Sequence, residues 1–206
     1  MELYEKYFII KEILTPVCHA STIYKKKNGE ILTAWFGGSR EGADDVGIFL
    51  SRKSEGADFQ IAEKMAGGQE PHWNPVLFST NDQKVFLFYK KGRKIVHWRT
   101  YIRISQDGGR TFGKEQELIT GDIGGRGPVR NKPIQLQNGR ILCPASVEGK
   151  EWKAFVDISE NNGESFVRSN WIEIAGMRNL LSQTKNMESG KNKNSDIPVS
   201  DQSFYG

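Results

Sequence analysis

One nine-residue loop holds most of the reactive side chains this sequence offers. Gly37-Gly38-Ser39-Arg40-Glu41-Gly42-Ala43-Asp44-Asp45 sets one guanidinium and three carboxyls into six consecutive positions behind a pair of glycines. A guanidinium there suits a carboxylate ligand, because its planar fork matches two oxygens at once. The carboxyls of Glu41, Asp44 and Asp45 suit proton transfer. The plainer reading is a charged surface loop, although loops set on a rigid scaffold often carry function. Glu148 closes a later apolar run at the equivalent place and offers a second, separated carboxyl group. Two carboxyls across a cleft are what glycoside cleavage generally needs, one as acid and one as base or nucleophile. Gly124-Gly125-Arg126-Gly127-Pro128-Val129-Arg130-Asn131-Lys132-Pro133 adds a patch rich in donors, of which Arg130, Asn131 and Lys132 stand as anion-binding candidates. His72, Trp73 and Asn74, beside proline-fixed bends, form a candidate sugar platform, with the indole face against a pyranose ring and the polar pair on its hydroxyls. The alternative for Trp73 is a plug between two sheets. His19 lies near the start of the first apolar segment, and a functional role and a packed, hydrogen-bonded role carry equal weight there.

These residues recur because the chain recurs. Ser105-Gln106-Asp107-Gly108-Gly109-Arg110-Thr111-Phe112 reads as a tight turn: Asp107 accepts from nearby backbone N–H groups, the glycines allow positive φ, and Phe112 fills a gap between sheets. Ser159-Glu160-Asn161-Asn162-Gly163-Glu164-Ser165-Phe166 repeats it 54 residues later, and Ser51, another 54 residues earlier, opens a degenerate copy to Phe59. Each turn follows an apolar run that an Asn-containing bend introduces (Asn28-Gly29, Asn81-Asp82, Asn138-Gly139), and short segments around residues 19–23, 74–78 and 132–136 precede those bends. A period near 50 residues with about four short strands per unit predicts β-propeller blades. A β-sandwich has no reason to repeat its turns in register. The fold expected is therefore all-β, with three blades of four antiparallel strands. Residues 1–15 alternate loosely and are expected to supply an outer strand that closes the first blade.

Composition narrows the partners. The chain has 206 residues, 37% hydrophobic and 11% aromatic, enough for a substantial β core. Its net charge of +4 is mild and scattered, with no basic stripe interleaved with aromatics, so a nucleic-acid partner is not expected. No apolar stretch reaches the length of a membrane span. No signal peptide is visible at the N-terminus, which points to a cytoplasmic setting; a secreted or periplasmic one stays open should the N-terminus be incomplete. Cys18 and Cys143 read as free thiols. Three scattered histidines and no clustered cysteines give no metal-ligand spacing, and no phosphate-cradling loop appears, so neither metal nor cofactor is expected. From residue 177 the chain turns Ser/Asn/Lys/Gly-rich with almost no apolar residue, a composition that does not order itself. The expected division is a partial propeller over 1–176 and a disordered tail over 177–206.

The Ser-x-Asp-x-Gly-x-Thr-Phe turns are Asp boxes, also called bacterial neuraminidase repeats. Together with His19-Ala20-Ser21-Thr22, Trp35-Phe36-Gly37-Gly38-Ser39-Arg40-Glu41-Gly42, Trp73-Asn74-Pro75-Val76-Leu77 and Gly127-Pro128-Val129-Arg130-Asn131-Lys132-Pro133, they make residues 15–172 resemble the sialidase-like family of six-bladed propellers. The resemblance implies an N-terminal half-ring and an exo-glycosidase releasing sialic acid or a related terminal acidic sugar. Sialidases clamp the substrate carboxylate with three arginines, use an Asp as acid/base, and attack through a Tyr activated by a Glu. Carried over, Arg40 and Arg130 become clamp residues, Asp45 or Asp44 the acid/base, and Glu41 or Glu148 the supporting carboxylate. The family's Arg-Ile-Pro motif is replaced here by Cys18-His19-Ala20, and its Tyr and last clamp Arg belong to later blades. The alternatives are a lyase on uronic-acid glycans employing His19, or a carbohydrate-binding propeller without chemistry in which Trp73, Arg40 and Arg130 hold the sugar. An open half-ring also implies self-association through its exposed strand edges and faces.

Overall fold

A computed structural model describes residues 8–10 and 12–173. Within them the chain is all-β, built as three four-stranded antiparallel sheets that follow one another in sequence. The first sheet holds β1 (Val17–Lys25), β2 (Ile31–Gly38), β3 (Gly47–Lys53) and β4 (Glu63–Ala66); the second holds β5 (His72–Ser79), β6 (Val85–Lys91), β7 (Arg99–Ser105) and β8 (Gln116–Glu117). The third runs β9 (Ile134–Gln135), β10 (Ile141–Glu148), β11 (Trp152–Ser159) and β12 (Val167–Arg168). Each sheet is ordered as its strands follow in the chain, and each is one propeller blade with its innermost strand first. The expected blades and repeat phase are all present.

Patterning explains the stacking. Along β6 every residue from Val85 to Lys90 is buried. Val85, Leu87 and Tyr89 join Leu32, Ala34, Phe36, Ile48 and Leu50 of the first blade in one core. Phe86 and Phe88 turn the other way and join Ile141, Cys143 and Phe166 of the third blade. A strand covered on both faces reads as an unbroken apolar run, because neither set of alternate side chains meets water. The third blade contrasts with it. In β11, Phe155, Asp157 and Ser159 are buried, while the intervening Val156 and Ile158 are only half-buried. Leu142 and Pro144 of β10 are half-buried as well. One face of that blade therefore lacks a cover among the described residues.

The repeated turns join the blades. In the second blade the Ser105 hydroxyl accepts from the Gly109 N–H at 2.7 Å, and Asp107 accepts from the Thr111 N–H at 2.9 Å and its hydroxyl at 2.6 Å. The third blade copies this with Ser159, Asn161, Gly163 and Ser165. Gly109 takes φ +89° and rests on Leu32, where a Cβ would stand 2.3 Å from a side-chain carbon. Gly163, at φ +87°, rests on Phe86, where a Cβ would stand 2.4 Å from a ring carbon, the same 77-residue interval back along the chain. Each turn thus clasps the second strand of the blade before it. No blade precedes the degenerate first copy among the described residues, and Gly56 at its turn faces open space.

Residues 8–10 and 12–15 form no strand; Phe8 and Ile13 stand exposed and join neither core cluster. The rest of the outer strand expected over 1–15 lies outside the described residues. The chain divides into a unit of residues 1–172 and one of 173–206. The polar tail expected from residue 177 lies outside the described residues.

Candidate functional site

Antiparallel order gathers the candidate residues at one end of the blades, the channel end, where the innermost strands of a complete propeller open onto its central channel. The starts of the inner strands, the β2–β3 loop, the β6–β7 connection and the end of β10 all open there, whereas the Asp boxes and the β1–β2 and β5–β6 turns lie at the other end. Three backbone irregularities mark that first end. Ala20, Asn74 and Arg130 hold φ of 48°, 45° and 62°, one in each blade near the start of its inner strand. In β1 and β5 these residues sit in bulges, between His19 and Thr22 and between Trp73 and Val76. Non-glycine residues with positive φ are uncommon and cost free energy, and they cluster where a side chain must be re-aimed.

The β2–β3 loop presents its four charged residues unequally. Asp45 accepts from the Ser39 N–H and hydroxyl, both at 2.9 Å, and so closes the loop on itself. Asp44 makes a two-pronged ion pair with Arg93, whose second nitrogen lies 2.9 Å away. That hydrogen-bonded guanidinium holds the Asp44 carboxyl below the usual carboxylate range. Arg40 and Glu41 are exposed, and their side chains make no hydrogen bond or ion pair among the described residues. Gly42, at φ +78°, passes over the second blade's tryptophan, where a Cβ would stand 3.4 Å from the Trp73 ring.

Trp73 links blades as well as facing the site. Its Nε1 donates to the Gly92 carbonyl at 2.7 Å. Its ring meets Phe36 edge-on at 5.6 Å and Trp98 at 5.6 Å. The exposed His19 stacks on the far side of this row, 5.6 Å from Phe36. His72 points inward: its Nδ1 lies 2.9 Å from the Glu70 carbonyl and 3.1 Å from that of Val46, and its buried Nε2 has no partner among the described residues. Burial, with the Lys91 ammonium nearby, pushes its pKa down and keeps the ring neutral. Asn74 is half-buried beside Pro75.

The third blade supplies the loop 124–133. Arg126 leaves the donor patch and turns into the molecule, 2.6 Å from Asp157, whose other oxygen accepts the Gly127 N–H at 2.6 Å. Lys132 donates to the Ile23 carbonyl and ties the third blade to the first. Arg130 and Asn131 remain exposed, with no side-chain partner among the described residues. Glu148 ends β10, half-buried, with one oxygen 3.4 Å from the Ser146 hydroxyl. Of the residues singled out in the sequence, the exposed side chains without a hydrogen-bond or ion-pair partner among the described residues are therefore Arg40, Glu41, Arg130, Asn131 and His19. That set can bind an anion through two guanidinium groups and offers one carboxyl for proton transfer.

Sequence reasoning passed over three residues that shape this end. Arg93 and Trp98 belong to the connection between β6 and β7, which carries a short 3-10 turn, Ile95–His97, beside the site. Lys90 sits in the basic run Lys90-Lys91-Gly92-Arg93, yet it is completely buried. The signal was its period-two register with Phe86 and Phe88, which places it on the face toward the third blade. Among the described residues no group of histidine, cysteine or carboxylate side chains could hold a metal ion, and no helix is long and apolar enough to cross a membrane.

A family model described as "BNR repeat-like domain" matches residues 29–191. No curated protein matches the chain by sequence. Among solved structures, a protein of unknown function from Dyadobacter fermentans is similar at 15% identity with a TM-score of 0.60, over 77% of this chain and 56% of that one. The Trypanosoma rangeli sialidase, bound to the inhibitor DANA, is similar at 15% identity with a TM-score of 0.57, over 79% of this chain and 34% of that one. An α-L-arabinofuranosidase from Fusarium graminearum is similar at 13% identity with a TM-score of 0.55, over 76% of this chain and 51% of its own. The chain thus spans about half the length of two of these structures and about a third of the other.

Proposed function

The chain belongs to the BNR repeat-like domain family, a sialidase-like propeller family, and from that premise we propose that its channel end binds a terminal acidic sugar of a glycan and, in the complete ring, takes part in hydrolysing it. One observation carries the reading. Of the charged groups in the β2–β3 loop and the loop 124–133, Arg40, Glu41 and Arg130 alone are exposed without a hydrogen-bond or ion-pair partner among the described residues, while Asp44, Asp45, Arg126 and Lys132 are committed to holding loops. Arg40 and Arg130 take the sugar carboxylate, Asn131 a hydroxyl and Trp73 the ring face. Glu41 is the carboxyl free to move a proton. The fold neighbours include a sialidase and an arabinofuranosidase, which supports a glycoside-hydrolase-like scaffold without selecting the sugar.

A second reading has an observation of its own. Asp44 and Asp45 are both tied down, so the loop keeps one free carboxyl rather than a pair, and an acidic-sugar-binding propeller without chemistry needs no more. The test separates the two. The chain is titrated with sialic and glucuronic acids, and assayed on fluorogenic sialosides and uronides. Arg40→Ala and Arg130→Ala should each weaken binding about 10- to 100-fold, the worth of a charge-assisted hydrogen-bonded pair. Hydrolysis lost with binding retained in Glu41→Gln marks the enzyme. Binding with no turnover in any form marks the binding module. Acidic sugars that bind equally well to both arginine variants would dismiss the reading altogether.

A further inference from the structure

Lys90 is a wholly buried cation near the end of β6, and its surroundings are those of a clamp. Its ammonium donates to the Thr100 hydroxyl at 2.6 Å, the Arg126 carbonyl at 2.5 Å and the Gly127 carbonyl at 3.3 Å. Thr100 donates to the same Arg126 carbonyl. From the other side Asp157, wholly buried, takes the Arg126 guanidinium and the Gly127 N–H, while Arg126 also donates to the Phe166 carbonyl at 3.1 Å. The segment is packed without slack: a Cβ on Gly127 would stand 2.5 Å from Leu118, and one on Gly125 2.5 Å from the Ser146 carbonyl. Three residues after this knot the chain reaches Arg130 in its left-handed conformation.

We propose that Lys90 is a positioning residue: by gripping the Arg126 and Gly127 carbonyls it fixes the loop that delivers Arg130 to the channel end, and its charge sets how firmly that loop is held. The fixing of the loop stands on the geometry alone; its consequence for ligand rests on the reading of Arg130 given above. The groups facing Lys90 are Asp157 from β11, Asp122 before the loop, and Glu148 and Cys143 from β10, with Thr100 from β7 and the Arg126 backbone. Burial outweighs the three carboxylates and lowers the Lys90 pKa to about 7. Opening the loop returns the amine to water and to a pKa near 10.4. Between these values the open form holds more protons than the closed one, so opening becomes harder as pH rises and easier as pH falls toward 7. Below about 7 both forms are charged and the dependence ends.

Hydrogen exchange on the intact chain, read as protection factors for residues 124–131 at several pH values, tests this. In the unaltered chain, protection should climb between pH 7 and 9, while β2 and β6 stay level. In Lys90→Met the pH slope should vanish and loop protection should fall about five- to tenfold, the worth of a lost buried hydrogen bond or two. Lys90→Gln, which keeps two donors, should recover much of the protection but none of the slope. Should Lys90→Met fail to fold, Thr100→Val asks the same question: the slope persists from a lower baseline. A loop whose protection does not depend on pH in the unaltered chain, or a loss in Lys90→Met spread evenly over β6, β7, β10 and β11, overturns the proposal. Acidic-sugar binding addresses the functional reading separately: Arg40→Ala and Arg130→Ala chains that both bind normally refute that reading and leave the exchange result to judge Lys90.

Discussion

At the scale of single residues, commitment decides what each charge can do. Arg40 and Arg126 are alike in the sequence, each set among glycines with an acidic residue within reach. The fold directs one outward and the other onto Asp157, 2.6 Å away, and sequence spacing carries no trace of that difference. His72 shows the same limit. Its neighbours Trp73 and Asn74 made a sugar platform legible, but its ring faces two backbone carbonyls inside the protein. That burial has a pH consequence. The folded pKa of His72 lies below the unfolded value of about 6.5, so its contribution to stability is complete above 6.5 and is lost as pH falls through the folded pKa. Urea midpoints taken from pH 7.5 down to 5 should drop more steeply for the native chain than for His72→Asn, which does not titrate. Parallel curves would show that another group governs the acid limb.

At the scale of elements, the repeat was the readable part. Serines spaced 54 residues apart placed the turns and with them the third strands β7 and β11, because turn chemistry is local. The apolar runs gave β2, β6 and β10 for the same reason. The segment at 132–136 gave β9 likewise, whereas the 3-10 connection at 95–97 was harder, since its position follows from what packs against it. What the glycines meet was not readable either. A turn glycine looks the same whether its positive φ alone requires it or a neighbouring blade presses on it. Gly163 and Gly139 separate the two cases, with φ of +87° and +86°; only Gly163 has a side chain against it. Gly139→Ala should cost about 1 kcal/mol from the backbone alone. Gly163→Ala should cost about 2–4 kcal/mol, since Phe86 must move as well. Thermal melts of the two variants provide the comparison, and equal losses would mean that the turn does not bear on the second blade.

At the scale of the whole molecule, the third blade keeps Leu142, Pro144, Val156 and Ile158 half-buried on a face with no cover among the described residues. A sheet face of this kind favours association. The chain in isolation should therefore sediment as a concentration-dependent mixture, and Val156→Lys with Ile158→Lys should shift it toward monomer without lowering its melting temperature; unchanged sedimentation would place the contact elsewhere. The clasping turns add an asymmetry that the stacked sheets alone would not have. The second blade's turn grips the first blade and the third grips the second, so the blades overlap like roof tiles laid in one direction. During synthesis, then, each blade waits for its successor before it is secured, and order advances from the N-terminus one blade behind the ribosome. Wear runs the opposite way: a protease working from the C-terminal side lifts the last tile first, and every loss unfastens the one beneath.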